Sequence, residues 1–143
     1  MSSPTTDTHA GLDGAGRLLI ALYTLFAIAA GARALFQIAT RWGQAPLAYT
    51  LSAVAALVYL LACVGLARRT PAAWRLATGV CAFELAGVLL VGTLTLAWPA
   101  LFADATVWSG FGAGYGFVPL VLPVLGLAWL LRPTTRHAYG VGS

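Results

Sequence analysis

The chain has 143 residues, of which 60% are hydrophobic and 8% charged, and its net charge is +4. Such a low charged fraction cannot solvate the surface of a soluble domain, so lipid is the solvent that this composition indicates. The basic residues are dispersed at the ends of apolar runs rather than clustered on one solvated face, which excludes nucleic acid as a partner. Each helical crossing of a bilayer needs about 20 apolar residues, and the unbroken runs found here fit all-α crossings rather than alternating β-strands.

The first half of the chain contains a polar tail and two apolar runs. Residues 1–16 are rich in Ser, Thr and Gly without apolar periodicity, which predicts a disordered cytoplasmic tail. The first predicted transmembrane helix covers residues 18–40 and contains one charge, Arg33. The second covers residues 47–67 and contains no charge.

The second half contains two more apolar runs, joined by a longer connection. The third predicted helix, residues 76–98, carries Glu84 near its middle. Residues 99–109 follow as a predicted interfacial segment, and the fourth helix is predicted over residues 113–131. The remaining residues, 133–143, are predicted to form a second cytoplasmic tail.

The orientation follows from the basic residues near the helix ends. One side holds Arg17, Arg68, Arg69, Arg75, Arg132 and Arg136. The other side holds Arg41 alone, so the positive-inside rule makes the first side cytoplasmic. The sequence thus predicts a four-helix transmembrane bundle over residues 17–132, in the cytoplasmic membrane with both termini in the cytoplasm. Trp42, Trp98 and Trp108 are predicted to form an aromatic belt on the far side.

Glu84 is the first candidate for chemistry. A carboxylate near the bilayer centre costs about 2.5 kcal/mol or more unless it is paired, protonated or in contact with water. At about 1.5 Å per residue, Tyr59 lies at the same depth and Tyr23 slightly nearer the cytoplasm, so both phenols are candidate donors. Arg33 lies about 10 Å farther out, where pairing with Glu84 and snorkelling to the headgroups both remain open. These four residues are the candidate intramembrane polar site, either an element that fixes helix register or a proton relay.

The glycine-rich segment before the fourth helix contains the letters GYGF, as does the filter of potassium channels. A filter needs Thr and Val before the first Gly and a re-entrant pore helix, whereas Ala113 precedes Gly114 here. The segment is therefore predicted to run straight into the spanning helix. Pro119 and Pro123, four residues apart, predict a kink in that helix.

The sequence predicts neither an enzyme nor a cofactor or metal site. Cys63 and Cys81 fall in separate predicted helices without a CxxC motif. His9 and His137 lie in the terminal tails without ligand partners nearby in the sequence.

Small residues at fourfold spacing permit close approach of helices, either within the chain or between copies. They are Ala27 and Gly31, then Ala48, Ser52 and Ala56, then Ala82 and Ala86. We therefore predict a non-enzymatic accessory or structural subunit that acts through helix association with a second copy or another membrane protein. The alternative is an oligomeric small-solute or proton-coupled transporter that uses Glu84.

Three stretches resemble a group of small actinobacterial integral membrane proteins without assigned activity. They are ATRWGQAPLAYTLSAVAALVYLLA (39–62), FELAGVLLVGTL (83–94) and TVWSGFGAGYGFVPLVLPVLGLAWLLRP (106–133). The resemblance implies membrane location and a four-helix plan. Small multidrug-resistance transporters and fluoride channels are similar in size, but the former carry their membrane Glu on the first helix and Glu84 is on the third. The dual-topology members of both show little of the charge bias seen here.

Overall fold

A computed structural model describes residues 14–142, and the described chain is helical throughout apart from turns and one long loop. The all-helical prediction is confirmed. The helices are α1 Gly14–Arg41, α2 Pro46–Ala67, α3 Pro71–Ala97, α4 Val118–Leu130 and α5 Pro133–Ala138. The disordered tail predicted over residues 1–16 lies largely outside the described residues, but Gly14 to Gly16 already belong to α1.

The start of α3 differs from the prediction because capping chemistry, rather than hydropathy, sets it. The Thr70 side chain accepts a hydrogen bond from the backbone nitrogen of Ala73 at 3.1 Å, and Pro71 occupies the first turn. Threonine is a favoured N-cap, and proline is favoured in the first turn because its missing N–H would have no helical partner there. The helix therefore begins at residue 71, five residues before the predicted residue 76.

Three of the helices, α1, α2 and α3, are long and apolar enough to cross a membrane. A fourth crossing exists only if α4 is counted together with the 3-10 helix Ser109–Tyr115, which meets it at an angle of 99°. Alone, α4 has 13 residues and spans about 20 Å, which is short of the hydrocarbon core of about 30 Å. Residues 14–142 thus contain three, or up to four, candidate membrane-crossing helices.

The predicted fourth helix, 113–131, is wrong at its start, and its glycine-rich segment does not run straight into it. The backbone is left-handed at residues 110–112 and again at residues 116–117, so the α-helix begins only at Val118. Glycine adopts this conformation freely, whereas the two phenylalanines in these stretches each add about 1–2 kcal/mol of strain. The surrounding contacts must therefore hold the turn in place.

Hydrogen bonds gather four helix termini at one end of the bundle. The Tyr139 hydroxyl donates to the carbonyl of Leu66 at 2.7 Å, and the Trp74 indole donates to the carbonyl of Leu130 at 2.8 Å. The start of α1 lies beside the end of α4 at the same level. This end, the basic end, carries Arg17, Arg68, Arg69, Arg75, Arg132 and Arg136. The α1–α2 turn and the start of the α3–α4 loop, residues 98–117, lie at the opposite end, the loop end.

Residues 133–143, predicted to be a tail, fold back against the basic end up to residue 142. Tyr139 is fully buried, packs edge-on against Trp129 at 6.2 Å between ring centroids, and lies under the Arg69 guanidinium at 5.0 Å. Burial raises the pKa of Tyr139 to about 12. A polar composition predicted solvation here, but the aromatic ring finds a site between the ends of α2 and α4.

Candidate polar site inside the bundle

Glu84 lies in the middle of α3 and is completely buried, at 0% exposure. It belongs to a stripe of buried residues at helical spacing that also contains Ala77, Cys81, Val88 and Val91. This stripe faces the neighbouring helices, so the apolar residues above and below Glu84 direct its carboxyl inward. The Tyr23 hydroxyl donates to Glu84 Oε1 at 2.7 Å. Oε2 has no hydrogen-bond partner among residues 14–142.

Three helices meet at Tyr23. Its side chain is fully buried, and its hydroxyl oxygen is 3.5 Å from Cys81 Sγ as well as being bonded to Glu84. Gly126 of α4 leaves the space for this contact, since a Cβ there would lie 3.0 Å from the Cys81 sulfur and 3.7 Å from the Tyr23 hydroxyl. Depth counting found Tyr23 but missed Gly126, because it does not indicate which face of α4 turns inward. It also missed Cys81, although Cys81 lies three residues before Glu84 on the same buried face of α3.

Tyr59 lies beside Tyr23, with ring centroids 6.1 Å apart, and is also fully buried. Its hydroxyl accepts a hydrogen bond from the indole nitrogen of Trp108 at 3.0 Å. Trp108 is 2% exposed, so its predicted place in an aromatic belt is wrong, whereas Trp42 and Trp98 are exposed near the loop end. The phenol of Tyr59 therefore ties the α3–α4 loop to the polar core.

The α3–α4 loop turns back into the bundle instead of lying across its end. A Cβ on Gly87 would come within 2.6 Å of the Trp108 ring, and Gly87 lies ten residues, about 15 Å, before the end of α3. The Phe111 ring lies in the same way on Gly92. These glycines, five residues apart on α3 and followed by an aromatic-rich loop, are the sequence signal that could have predicted this packing.

Arg33 and Glu84 are not brought together. Nη1 of Arg33 donates to the hydroxyl of Tyr115, whose ring packs against Phe26 at 5.9 Å between centroids. Arg33 lies ten residues beyond Tyr23 on α1, about 15 Å along the helix, which is too far for the pairing that the sequence left open. The Arg33 side chain is exposed, and its hydrogen bond to Tyr115 fixes the end of the 3-10 helix Ser109–Tyr115 to α1.

Two further hydrogen bonds fix this loop to the helices. The Tyr49 hydroxyl of α2 donates to Asp104 Oδ2 at 3.0 Å, and the backbone nitrogen of Gly110 donates to Thr95 Oγ1 of α3 at 2.9 Å. Irregular backbone at membrane depth is tolerated only where protein or water satisfies its polar groups. Together with the Arg33–Tyr115 bond, these contacts hold the loop from three helices.

The site offers a buried carboxyl with one phenol donor and one oxygen that has no partner among residues 14–142. Such a group can fix helix register through its hydrogen bond or bind and release a proton. Within the described part of the chain, no group of three or more His, Cys, Asp or Glu residues could hold a metal ion.

The fold and this site define a helical bundle with candidate membrane-crossing helices around one buried polar cluster. No family model, curated protein or solved structure matches the chain.

Proposed function

We propose that this chain is a membrane protein that acts through association of its helices with a second copy or another membrane protein. The observation that carries the proposal is a stripe of small residues on the outside of α3. All three residues of the stripe, Gly79, Ala82 and Ala86, are exposed. Ala82 and Ala86 lie three and seven positions after Gly79, a spacing that places them on one face of the helix. Helices in lipid associate by close packing at such small residues.

The chain uses the other small residues internally. Ala48 and Ser52 are buried in α2, and a Cβ on Gly31 of α1 would lie 3.9 Å from the Ala56 side chain. In contrast, a Cβ on Gly79 would meet no described atom within 4 Å. Small residues at this spacing pack α1 against α2, whereas those on α3 are exposed. This supports a contact between α3 and a helix outside the chain.

The proposal includes four crossings with both termini in the cytoplasm. The six arginines of the basic end, against Arg41 at the end of α1, favour a cytoplasmic basic end. The 3-10 helix would complete the fourth crossing together with α4. Reporter fusions test this: green fluorescent protein at the C-terminus should fluoresce, and alkaline phosphatase joined after Asp104 should be active. The reverse pattern would refute the orientation.

The association face is tested by enlarging its small residues in the full chain. In detergent, Ala82→Leu and Ala86→Leu should each reduce the size of the wild-type oligomer or remove its cross-linked partner. Ala29→Leu, at an exposed alanine of α1, is the matched control and should change neither. If all of these variants keep the wild-type size and the wild-type cross-links, the α3 face is not an association surface.

A second candidate function, proton-coupled transport by an oligomer, is favoured by the unpaired Oε2 of Glu84, where a proton could bind. Proteoliposomes containing a pH-sensitive dye test it. Proton flux that is present in the wild type and absent in a folded Glu84→Gln variant supports transport. Absence of flux in the wild type, or loss of the fold in the variant, supports the structural role of the carboxyl.

A further inference from the structure

A pocket opens at the loop end, between the last turn of α3 and the first part of the α3–α4 loop. Its volume is about 370 Å³. The polar part of its lining is Thr95, Asp104 and Ser109, and the apolar part includes Pro99 and Phe102. None of the described lining residues is basic. The pocket lies at the opposite end of α3 from the small residues proposed for association, so it is independent of that proposal.

Asp104 brings a carboxylate to this pocket. Its Oδ2 accepts a hydrogen bond from the Tyr49 hydroxyl at 3.0 Å, and its Oδ1 accepts one from the backbone nitrogen of Ala105 at 2.8 Å. Both donors are neutral, so neither cancels the negative charge, and each carboxylate oxygen has room for a second hydrogen bond. Arg33 and Arg41 of α1 lie within electrostatic range of the Tyr49 phenol, but neither lines the pocket.

The end of α3 adds a second source of negative potential. The helix is 27 residues long, and its last turn contains no basic residue. The carbonyl groups at a helix C-terminus carry a partial negative charge, which stabilises cations beside them. Pro99, four residues after Thr95, has no N–H, so it cannot donate to the Thr95 carbonyl as a continuing helix would. Both residues line the pocket, which places this end of the helix in its wall.

The hydroxyl groups of the lining are largely occupied by contacts within the protein. The Thr95 hydroxyl donates to the carbonyl of Gly92 at 2.8 Å and accepts from the nitrogen of Gly110 at 2.9 Å. Ser109 Oγ accepts from the backbone nitrogen of Thr106 at 2.8 Å and shares a second hydrogen bond with the Thr106 hydroxyl. The side chains of the lining therefore offer more free acceptor positions than donors. A ligand that fits them carries positive charge and donates hydrogen bonds.

We propose that this pocket binds a primary ammonium group, which donates to the Asp104 carboxylate and lies beside the end of α3. An ammonium group has three donors and no acceptor, which matches this lining, and the attached carbon atoms pack against Pro99 and Phe102. The ammonium belongs either to the headgroup of an ethanolamine phospholipid or to a free alkylamine. Headgroups are within reach, because α3 is long enough to cross a membrane and the pocket lies at its end.

An inorganic cation is a poorer occupant. Calcium takes about six to eight oxygen ligands, and the pocket contains a single carboxylate. Within the described part of the chain, no group of three or more His, Cys, Asp or Glu residues could hold a metal ion.

The test is thermal unfolding of the full chain in neutral detergent, followed by tryptophan fluorescence, with butylammonium chloride at about 100 mM. Each midpoint is compared with that in an equal concentration of sodium chloride. For a dissociation constant of about 10 mM, butylammonium should raise the midpoint of the wild type by about 4 °C. Butyltrimethylammonium carries the same charge without N–H donors, so it should raise the midpoint by less than half as much.

Mixed micelles separate the two sources of the ammonium group. Phosphatidylethanolamine has N–H donors in its headgroup, whereas phosphatidylcholine has none. If the ligand is a lipid, phosphatidylethanolamine should raise the midpoint by more than phosphatidylcholine does, and it should reduce the further rise caused by butylammonium. A rise with butylammonium alone identifies a free amine as the ligand.

Two pairs of variants locate the ligand. Asp104→Asn removes the charge but keeps an oxygen that can accept from Tyr49, and it should weaken the apparent affinity for butylammonium about tenfold. Tyr49→Phe removes a neutral donor and keeps the charge, so it should keep the response. Ala103→Leu narrows the pocket and should also weaken the response, whereas Ala100→Leu, at an exposed position outside the lining, should not.

Several outcomes would overturn the proposal. Equal rises with butylammonium and butyltrimethylammonium would show that the N–H donors are not recognised. A full response in Asp104→Asn or in Ala103→Leu would place the ammonium group outside this pocket. The absence of a rise with both butylammonium and phosphatidylethanolamine would show that the pocket binds neither. If Asp104→Asn does not fold, the comparison of Ala103→Leu with Ala100→Leu decides.

Discussion

Replacement of Tyr23 by phenylalanine removes only the hydroxyl that donates to Glu84 Oε1 at 2.7 Å. The other carboxyl oxygen, Oε2, has no partner in the described part of the chain. The variant therefore leaves the completely buried Glu84 carboxyl without a hydrogen bond from any described residue. Hydrogen bonds between membrane helices contribute about 0.6 kcal/mol on average and up to about 1.7 kcal/mol. Stranding a buried polar group adds a desolvation penalty. We therefore expect Tyr23→Phe to lower the free energy of unfolding by about 1.5 kcal/mol, near the upper end of this range.

The effect of Tyr23→Phe on the free energy of unfolding should disappear or change sign when Glu84 is replaced by leucine. The Tyr23 hydroxyl then keeps only its 3.5 Å contact with the Cys81 sulfur and becomes the stranded polar group itself. Adding Tyr23→Phe to Glu84→Leu should accordingly leave the free energy of unfolding unchanged or raise it. The four proteins form a double-mutant cycle, with an expected interaction energy of about 1.5 kcal/mol or more.

The assay for the cycle is unfolding in mixed micelles with increasing SDS, followed by helical circular dichroism. Tyr59→Phe is the matched control, because it removes another buried hydroxyl, one that accepts its hydrogen bond from Trp108. Its cost should be similar with and without Glu84→Leu. If Tyr23→Phe costs the same in both backgrounds, the hydrogen bond to Glu84 contributes nothing and the reasoning is refuted.

Two further predictions concern the packing of the loop and the basic end. Gly87→Ala places a Cβ 2.6 Å from the Trp108 ring, so it should destabilise the protein by about 1–3 kcal/mol and red-shift tryptophan emission. A Cβ on Gly79 meets no described atom within 4 Å, so Gly79→Ala should leave the stability of the dissociated protein unchanged or raise it. No emission change in Gly87→Ala would contradict the loop packing. Since burial raises the pKa of Tyr139 from 10.0 to about 12, the stability from this group is complete below pH 10 and is lost as the pH rises through about 12. Tyr139→Phe, which lacks the ionisable hydroxyl bonded to Leu66, should therefore lose less stability than the wild type between pH 10 and 12, measured as the unfolding midpoint. Equal losses would contradict the assignment.

The parts of the structure that follow from local sequence could be predicted. Long apolar runs give α1, α2 and α3, because a bilayer-length helix is the simplest way to satisfy backbone polar groups away from water. The energetic cost of a carboxyl in such a run indicated that Glu84 is buried, and counting residues from the basic end along α1 and α3 placed Tyr23 near it. Both inferences need only helix length and direction.

The partners of Arg33 and Tyr59 could not be predicted in this way. Both bind the α3–α4 loop, through Tyr115 and Trp108 respectively, and the path of that loop depends on contacts distant in sequence. Its left-handed residues give no hydropathy signal. Its aromatic residues are as typical of an interfacial belt as of a segment packed inside the bundle. Composition also misled at the C-terminus, where a single tyrosine docks an otherwise polar segment.

The loop also connects the surface of the bundle to its buried carboxyl. Trp108 touches Gly87 and bonds to Tyr59, which packs against Tyr23, the residue that donates to Glu84. Because packed interiors transmit strain, a displacement of Trp108 must change the surroundings of Tyr23. Two strained phenylalanines in left-handed backbone make this segment the part of the described chain with the most to gain by relaxing. The loop end is therefore linked to the buried carboxyl through a contiguous series of contacts.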